Sequence, residues 1–489
     1  MTFPILSTIV FTPALTGLII LLLPGQRKGW IRGIALAGAA VALALSAVAY
    51  FSYDTRVAGY QFVEKVPWIP QWGVSYHVGV NGLNLPLVLL TGLVMFTGVL
   101  ISWGIEDRPR EFFAFLFVLA TGVFGSFVSL DLFQLFFFYE MAVFPMYLLI
   151  SLWGWPKMRE YAAMKLTLYL FVGSVLALVG ALVMYFTAGM HSFDMLDLEH
   201  AGFSTGFQRL WFPVVFLGFA VLGGLFPLHN WSPDGYAAAP TAASMFHAGV
   251  LKNLGAFASL RVAIMLLPEG ARFHLSWVVI LALINVLYAS LIAMVQTDLK
   301  YVIGFSSVSH MGLVMLGWAS LSQTGYLGAG LQMFSHGVMT ALFFAVVGMI
   351  YDRAHTREIP KLGGFAKKMP LAAVAFTLGG LASMGMPGLS GFVAEFPLLL
   401  GVWQRYPLVA ILAAVGAVVT AAYILLLLRR VFFGTMPAEF DRQVGDITLK
   451  DKAALGLLAF ILLALGLYPA WMAPLVQSGA ASVIRLLGV

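Results

Sequence analysis

The sequence predicts an all-α integral membrane protein of about fourteen spans, two of them broken and ten of them arranged as two inverted five-helix repeats. Three observations predict it. Of 489 residues, 61% are hydrophobic and only 10% are charged, against roughly 25% charged in an ordinary soluble domain. Apolar runs recur from end to end, each long enough to cross about 30 Å of hydrocarbon. Glycine and proline interrupt two of these runs at similar places, five spans apart.

Taken in order, the spans are expected near 3–23, 30–51, 83–104, 112–130, 132–153, 162–187, 209–231, 240–267, 275–296, 301–320, 326–350, 371–402, 407–433 and 453–475. The first has no basic region before it and no small-residue cleavage site, so it reads as a retained helix. The tail from Gly479 to Val489 is short and amphipathic. Two connections are longer: Ser52 to Asn81, rich in aromatics, and His191 to Arg209, with Asp194, Asp197 and Glu199. The seventh span is interrupted at Gly223-Gly224 and Pro227, the twelfth at Met386-Pro387-Gly388 and Gly391. Residues 111–267 and 275–433 then form related units, inverted because five is odd. Residues 1–110 precede them and 434–489 follow.

Basic residues set the orientation. Nineteen of the 27 fall in one set of alternate connections, Arg442 among them, and seven in the other: Arg56, Lys65, Arg209, Arg261, Arg272, Arg405 and Arg485. Both termini are therefore expected on the non-cytoplasmic side of a bacterial inner membrane. The net charge of +6 serves this sidedness and implies no nucleic acid. The chain has no cysteine, which excludes disulfides and iron–sulfur clusters held by this chain. No Walker loop, dinucleotide fingerprint or helical histidine pair is present, so no cofactor or metal site is expected.

What remains is a small set of ionisable residues inside spans, each expensive to hold there unless it faces the bundle interior. Glu140 in span five has no basic neighbour within a turn. Lys252, near the middle of span eight, is too deep to snorkel easily. Glu395 follows the break in span twelve, where released backbone groups favour an ion site. These three are the expected proton-transfer groups. His336, His229, His247, Lys300 and His310 are expected to support them, histidine because it exchanges protons near neutral pH. His247 lies five residues before Lys252, roughly 140° around an α-helix, so the two need not share a face. Lys300 and Lys165 lie at span starts and can snorkel. Arg429-Arg430 read as stop-transfer charges.

The segments Phe137-Phe138-Tyr139-Glu140-Met141 and Pro227-Leu228-His229-Asn230-Trp231-Ser232-Pro233-Asp234 resemble the antiporter-like subunits of respiratory complex I, NADH-quinone oxidoreductase. So do Gln296-Thr297-Asp298-Leu299-Lys300, Ser306-Ser307-Val308-Ser309-His310-Met311-Gly312 and Ser335-His336-Gly337. Gly385-Met386-Pro387-Gly388 with Glu395-Phe396 looks most like the M-type (NuoM-like) chain, related to Mrp-type antiporter and membrane hydrogenase subunits. His247 is more similar to the L-type chain. The resemblance implies one proton-translocating module beside L-, N- and K-type partners, with NADH, FMN, iron–sulfur clusters and quinone on other subunits. It also implies that Glu140, Lys252 and Glu395 match the family's span-five glutamate, span-eight lysine and span-twelve glutamate. One departure stands out: where the family usually carries a lysine in span seven, this chain has Leu222. Glu140 is then expected to be protonated at rest or partnered by His229, His247 or Lys252. Rival readings are a cation/proton antiporter or hydrogenase-type subunit, and a spacer that has lost pumping.

Overall fold

The computed structural model describes residues 3–441 and 444–488; Arg442 and Val489 lie outside the described residues. Among the described residues, eleven helices are long and apolar enough to cross a bilayer: α1 (Ile5–Leu22), α2 (Lys28–Phe51), α3 (Leu85–Ile101), α4 (Pro109–Val128), α5 (Leu132–Trp153), α6 (Arg159–Ala188) and, after the short α7 (Met195–Leu198), α8 (Thr205–Gly223). Beyond α9 (Trp231–Ala238), α10 (Thr241–Phe246) and α11 (Lys252–Ala258) come α12 (Pro268–Val295), α13 (Leu299–Ala319) and α14 (Gln323–Ala354). The last is α17 (Pro407–Val431), after α15 (Pro370–Ser383) and α16 (Ser390–Arg405). The chain is a multi-pass membrane protein.

The other three expected spans are irregular for identifiable reasons. Span twelve is divided into α15 and α16, and Gly385 and Gly388 between them take φ of +68° and +89°, which an L side chain rarely adopts. Span eight alternates, with π turns at His247–Leu251 and Ser259–Ile264 on either side of α11. After the short α18 (Ala438–Asp441), α19 (Leu449–Leu467) starts on a Thr448–Asp451 capping box that places charges in its first turn. The amphipathic tail begins earlier than expected, as α20 (Ala473–Leu487).

The repeat is written into local hydrogen bonding. Asp131 caps α5 by accepting from the Gln134 amide, and Asp298 caps α13 by accepting from the Lys300 and Tyr301 amides. Each is also bridged to the segment after the next long helix, Asp131 to Asp194 and Asp298 to Glu358. Each unit then has a broken helix with a left-handed glycine at the break, Gly224 (φ +71°) and Gly385 (φ +68°). The long α14 is buried along its whole apolar window, and it runs past the second break.

The helical class holds, and one connection adds a short piece of extended backbone. The Ser52–Asn81 connection folds into an antiparallel hairpin of β1 (Gln61–Ile69) and β2 (Val74–Val80), turned at Gly73 in the left-handed region. β-branched residues and aromatics favour extended backbone. The hairpin is anchored to the loop before α7, where the Asp194 carboxylate accepts from Lys65 Nζ at 2.6 Å and meets His77 Nδ1 at 2.8 Å. Burial pushes this carboxyl up, but the hydrogen bonds from His77 and Lys65 outweigh it and hold Asp194 at about 2. Because the folded value lies below the ordinary 3.8, this stabilisation is present above about pH 4 and fades as pH falls toward about 2. Asp194→Asn should therefore cost about 1–2 kcal/mol at pH 7, after discounting for the half-exposed Lys65, and almost nothing near pH 2. Thermal melts of both proteins across that range check it.

Candidate functional site

Lys252 stands between the two π turns and is fully buried, its Nζ 3.3 Å from Ser232 Oγ and 5.5 Å from the centre of the Tyr236 ring. Straight α-helix geometry would set His247 well around the helix from it. The π turn changes that: the Lys252 amide donates to the His247 carbonyl, an i→i+5 bond that widens the turn. Both side chains now face Tyr236, with the His247 ring 5.1 Å from it. Gly224, at the break after α8, makes room for the lysine stem, since a Cβ there would lie 2.6 Å from Lys252 Cε. Gly224→Ala would thus combine left-handed backbone strain with displacement of the lysine. It should destabilise by about 1–3 kcal/mol, which a thermal melt would show.

The same device occurs at the second break. A Cβ on Gly385 would lie 2.8 Å from Glu395 Oε2. Glu395 is 6% exposed; its Oε1 is 3.4 Å from His310 Nδ1 and accepts from Gln332 Nε2 at 3.2 Å. Gln332 Nε2 also lies 3.1 Å from His310 Nδ1, and His310 Nε2 is 3.0 Å from Ser383 Oγ. The His336 ring centre lies 5.7 Å from that of His310, and His336 Nε2 is 3.1 Å from Ser307 Oγ. Three expected residues from α13, α14 and α16 therefore form one buried cluster.

Lys300 sits elsewhere, at the start of α13. Its Nζ donates to the Ala239 carbonyl at 2.6 Å and to Ser244 Oγ at 3.2 Å. It lines a polar cavity of about 230 Å³ with Tyr351, Asp352 and Arg357. Arg357 is held by Asp298 at 2.5 Å and stacks over Trp155 at 3.9 Å. Lys165, expected to snorkel, is instead paired with Asp234 at 2.6 Å, and Tyr301 donates to the other Asp234 oxygen.

His229 is enclosed by Phe226, Tyr288 and Phe305, with ring centres 5.5–6.5 Å away. Among the described residues, neither its ring nitrogens nor those of His247 have a protein hydrogen-bond partner. Such buried groups call for water.

Glu140 lacks the expected partners among the described residues, which leaves the alternative of a carboxyl protonated at rest. Its side chain is only half-buried on α5, and the nearby Ser174 hydroxyl of α6 donates to the Phe171 carbonyl of its own helix at 3.0 Å. No ion pair or hydrogen bond to His229, His247 or Lys252 forms among the described residues. Leu222, at the position of the missing lysine, is fully buried and backs onto Gly255.

The residues that sequence reading passed over are the connectors: Gln332, Ser383, Ser307, Ser232 and Tyr236. Gln332 had a signal, since it precedes His336 by four residues and so shares its helix face. Ser307 had one too, in the run of serines before His310, whereas Ser383 had none until the broken helices were placed.

The fold and the site define a class: a multi-pass membrane protein with ionisable groups buried beside two broken helices. Residues 129–420 match the transmembrane family described as NADH:quinone oxidoreductase/Mrp antiporter, and the chain belongs to it. It is 39% identical over 463 residues to NADH-quinone oxidoreductase subunit M of Rhodobacter capsulatus, covering 92% of this chain and 90% of that protein. It is 38% identical over 474 residues to NAD(P)H-quinone oxidoreductase chain 4 1 of Synechococcus elongatus, covering 96% and 89%. Among solved structures it resembles a chain of respiratory complex I from Thermus thermophilus with bound NADH, at a TM-score of 0.91 and 28% identity, covering 99% of this chain and all of that one.

Proposed function

We propose that the chain is a proton-translocating membrane-arm subunit of an NADH-quinone oxidoreductase, with electron transfer carried out on partner subunits. The observation that carries this reading is the His310–Gln332–Glu395 cluster, a carboxylate and an imidazole within reach of one proton in the buried interior. Lys252 and His336 extend it toward the first repeat. In this reading protons enter from the cytoplasmic side by the cavity that Lys300 lines and leave past Glu395, beyond the second break. The mechanism needs only that a change arriving from a neighbouring subunit alters the affinity of Lys252 or Glu395 for a proton. Each is an ionisable group in a low-dielectric setting, where a small change in nearby charge acts strongly.

In this reading the redox groups and quinone belong to partner subunits, in keeping with a chain that lacks cysteine. Both termini lie outside the cytoplasm, residues 111–267 and 275–433 are the two repeat units, and the neighbours are L-, N- and K-type chains. The test is purification in mild detergent, identification of the accompanying chains, and reconstitution into liposomes with a trapped pH dye. NADH-driven acidification or alkalinisation that collapses with an uncoupler supports the proposal. An assembly without redox subunits that exchanges sodium for protons would replace it with an antiporter.

Leu222 favours a second, narrower reading for the first repeat alone. With a buried alkyl group at the lysine position and no ion pair to Glu140 among the described residues, Glu140 does not pass a proton to span seven.

A further inference from the structure

The polar cavity of about 230 Å³ at Lys300 owes its two cations to the way α9 ends. The helix stops at Ala238 because Ala239, ahead of Pro240, is extended, and its last carbonyls are left without helical partners. Each is taken from outside the helix: Ala237 by Arg357 Nη1, Ala238 by the Trp155 amide at 2.7 Å, and Ala239 by Lys300 Nζ at 2.6 Å. Arg357 also holds Asp298, and Lys300 also bonds to Ser244. Both cations are therefore already partnered.

Asp352 is not. It lines the same cavity and is exposed, yet its carboxylate makes no ion pair or hydrogen bond among the described residues. The charged groups around it are Lys300, Arg353, His355 and Asp451, and Arg353 is bonded to Asp451 at 3.2 Å. Asp352 also sits in the last turn of α14, where the helix dipole disfavours a negative charge. Neither packing nor helix stability gives a reason for an acid here. The cavity gives one. Arg357 lines it, and Arg357 Nη2 is buried without a protein partner among the described residues, which calls for water; the volume admits several waters. A carboxylate that solvent reaches thus faces a buried amine across a space suited to water.

We propose that Asp352 is the proton-collecting residue of the inlet at Lys300. Its carboxylate takes a proton from the outside water and gives it to a cavity water, which leaves the carboxylate ionised for the next. The proton arrives on the free amine of Lys300, which becomes an ammonium; only O–H and N–H bonds change, and no electron moves. A negative group at the mouth of a cleft raises the local concentration of the cation it attracts, which matters most when protons are scarce. The proposal rests on the translocation reading and names the group at which a proton first enters.

The test measures protons translocated per electron pair in the reconstituted complex, with the cytoplasmic side held mildly acidic or mildly alkaline. The unaltered chain is compared with Asp352→Asn, Asp352→Glu and Glu395→Gln. Asp352→Asn should lower the ratio by the share of one module under alkaline conditions and by much less under acidic ones, where bulk protons replace the collector. Asp352→Glu keeps the carboxylate and should match the unaltered chain in both. An unchanged ratio in Asp352→Asn under alkaline conditions, with Glu395→Gln lowering it, overturns the collector and leaves the translocation reading standing. If neither substitution lowers the ratio, the translocation reading fails and the collector with it. A loss that is equal in both conditions and persists in Asp352→Glu marks a structural aspartate and also overturns the proposal.

Discussion

Glu395→Gln in the assembled, reconstituted complex should reduce proton translocation per electron pair while quinone reduction continues. The carboxamide keeps the size of the side chain and can still bond to Gln332, so the break between α15 and α16 should survive. What it removes is the ability to take up and release a proton beside His310, 3.4 Å away. Loss of a positioned acid or base commonly costs about 10²-fold or more in the step it serves. Flux through this chain should therefore fall below detection, and the total should drop by the share of one module. A spacer would behave differently: the stoichiometry would not move.

Lys252→Met is the second large effect. Methionine matches the length of the lysine stem and fits the space left by Gly224, so removal of the buried charge should leave folding intact or improve it. Proton flux through the module should fall at least tenfold, and Lys252→Arg should not restore it. The guanidinium stays protonated over the whole accessible range, and Gly224 leaves room for a slender stem only. Paired flux and thermal-melt measurements separate the two outcomes. A variant that melts like the unaltered chain and pumps like it would show that Lys252 is a structural lysine.

Much of this was legible in the sequence, because burying charge in hydrocarbon is costly enough to mark the few positions that do it. Lys252, His310, His336 and Glu395 stood out for that reason, and the last three prove to be neighbours. The broken helices were legible too, since Gly223-Gly224 and Met386-Pro387-Gly388 have few other uses inside a span. The hairpin was not, because Gln61–Val80 lacks a clean alternation and its register slips near both ends. Nor were the π turns of span eight, which depend on tertiary contacts and carry no residue signature. They mattered, since they rotate His247 into the company of Lys252. Glu140 reads from sequence as a buried acid, yet its half-exposure depends on which face of α5 the neighbouring helices cover, which composition does not encode.

The central claim is that Lys252 and Glu395 belong to one connected interior path. The most direct test is a density map of the assembled complex sharp enough to resolve ordered water between α11, α13, α14 and α16. The account predicts a hydrogen-bonded chain running from Lys252 Nζ past His336 and Ser307 to His310 and Glu395. A dry apolar gap between Lys252 and His336 that persists during turnover would contradict it.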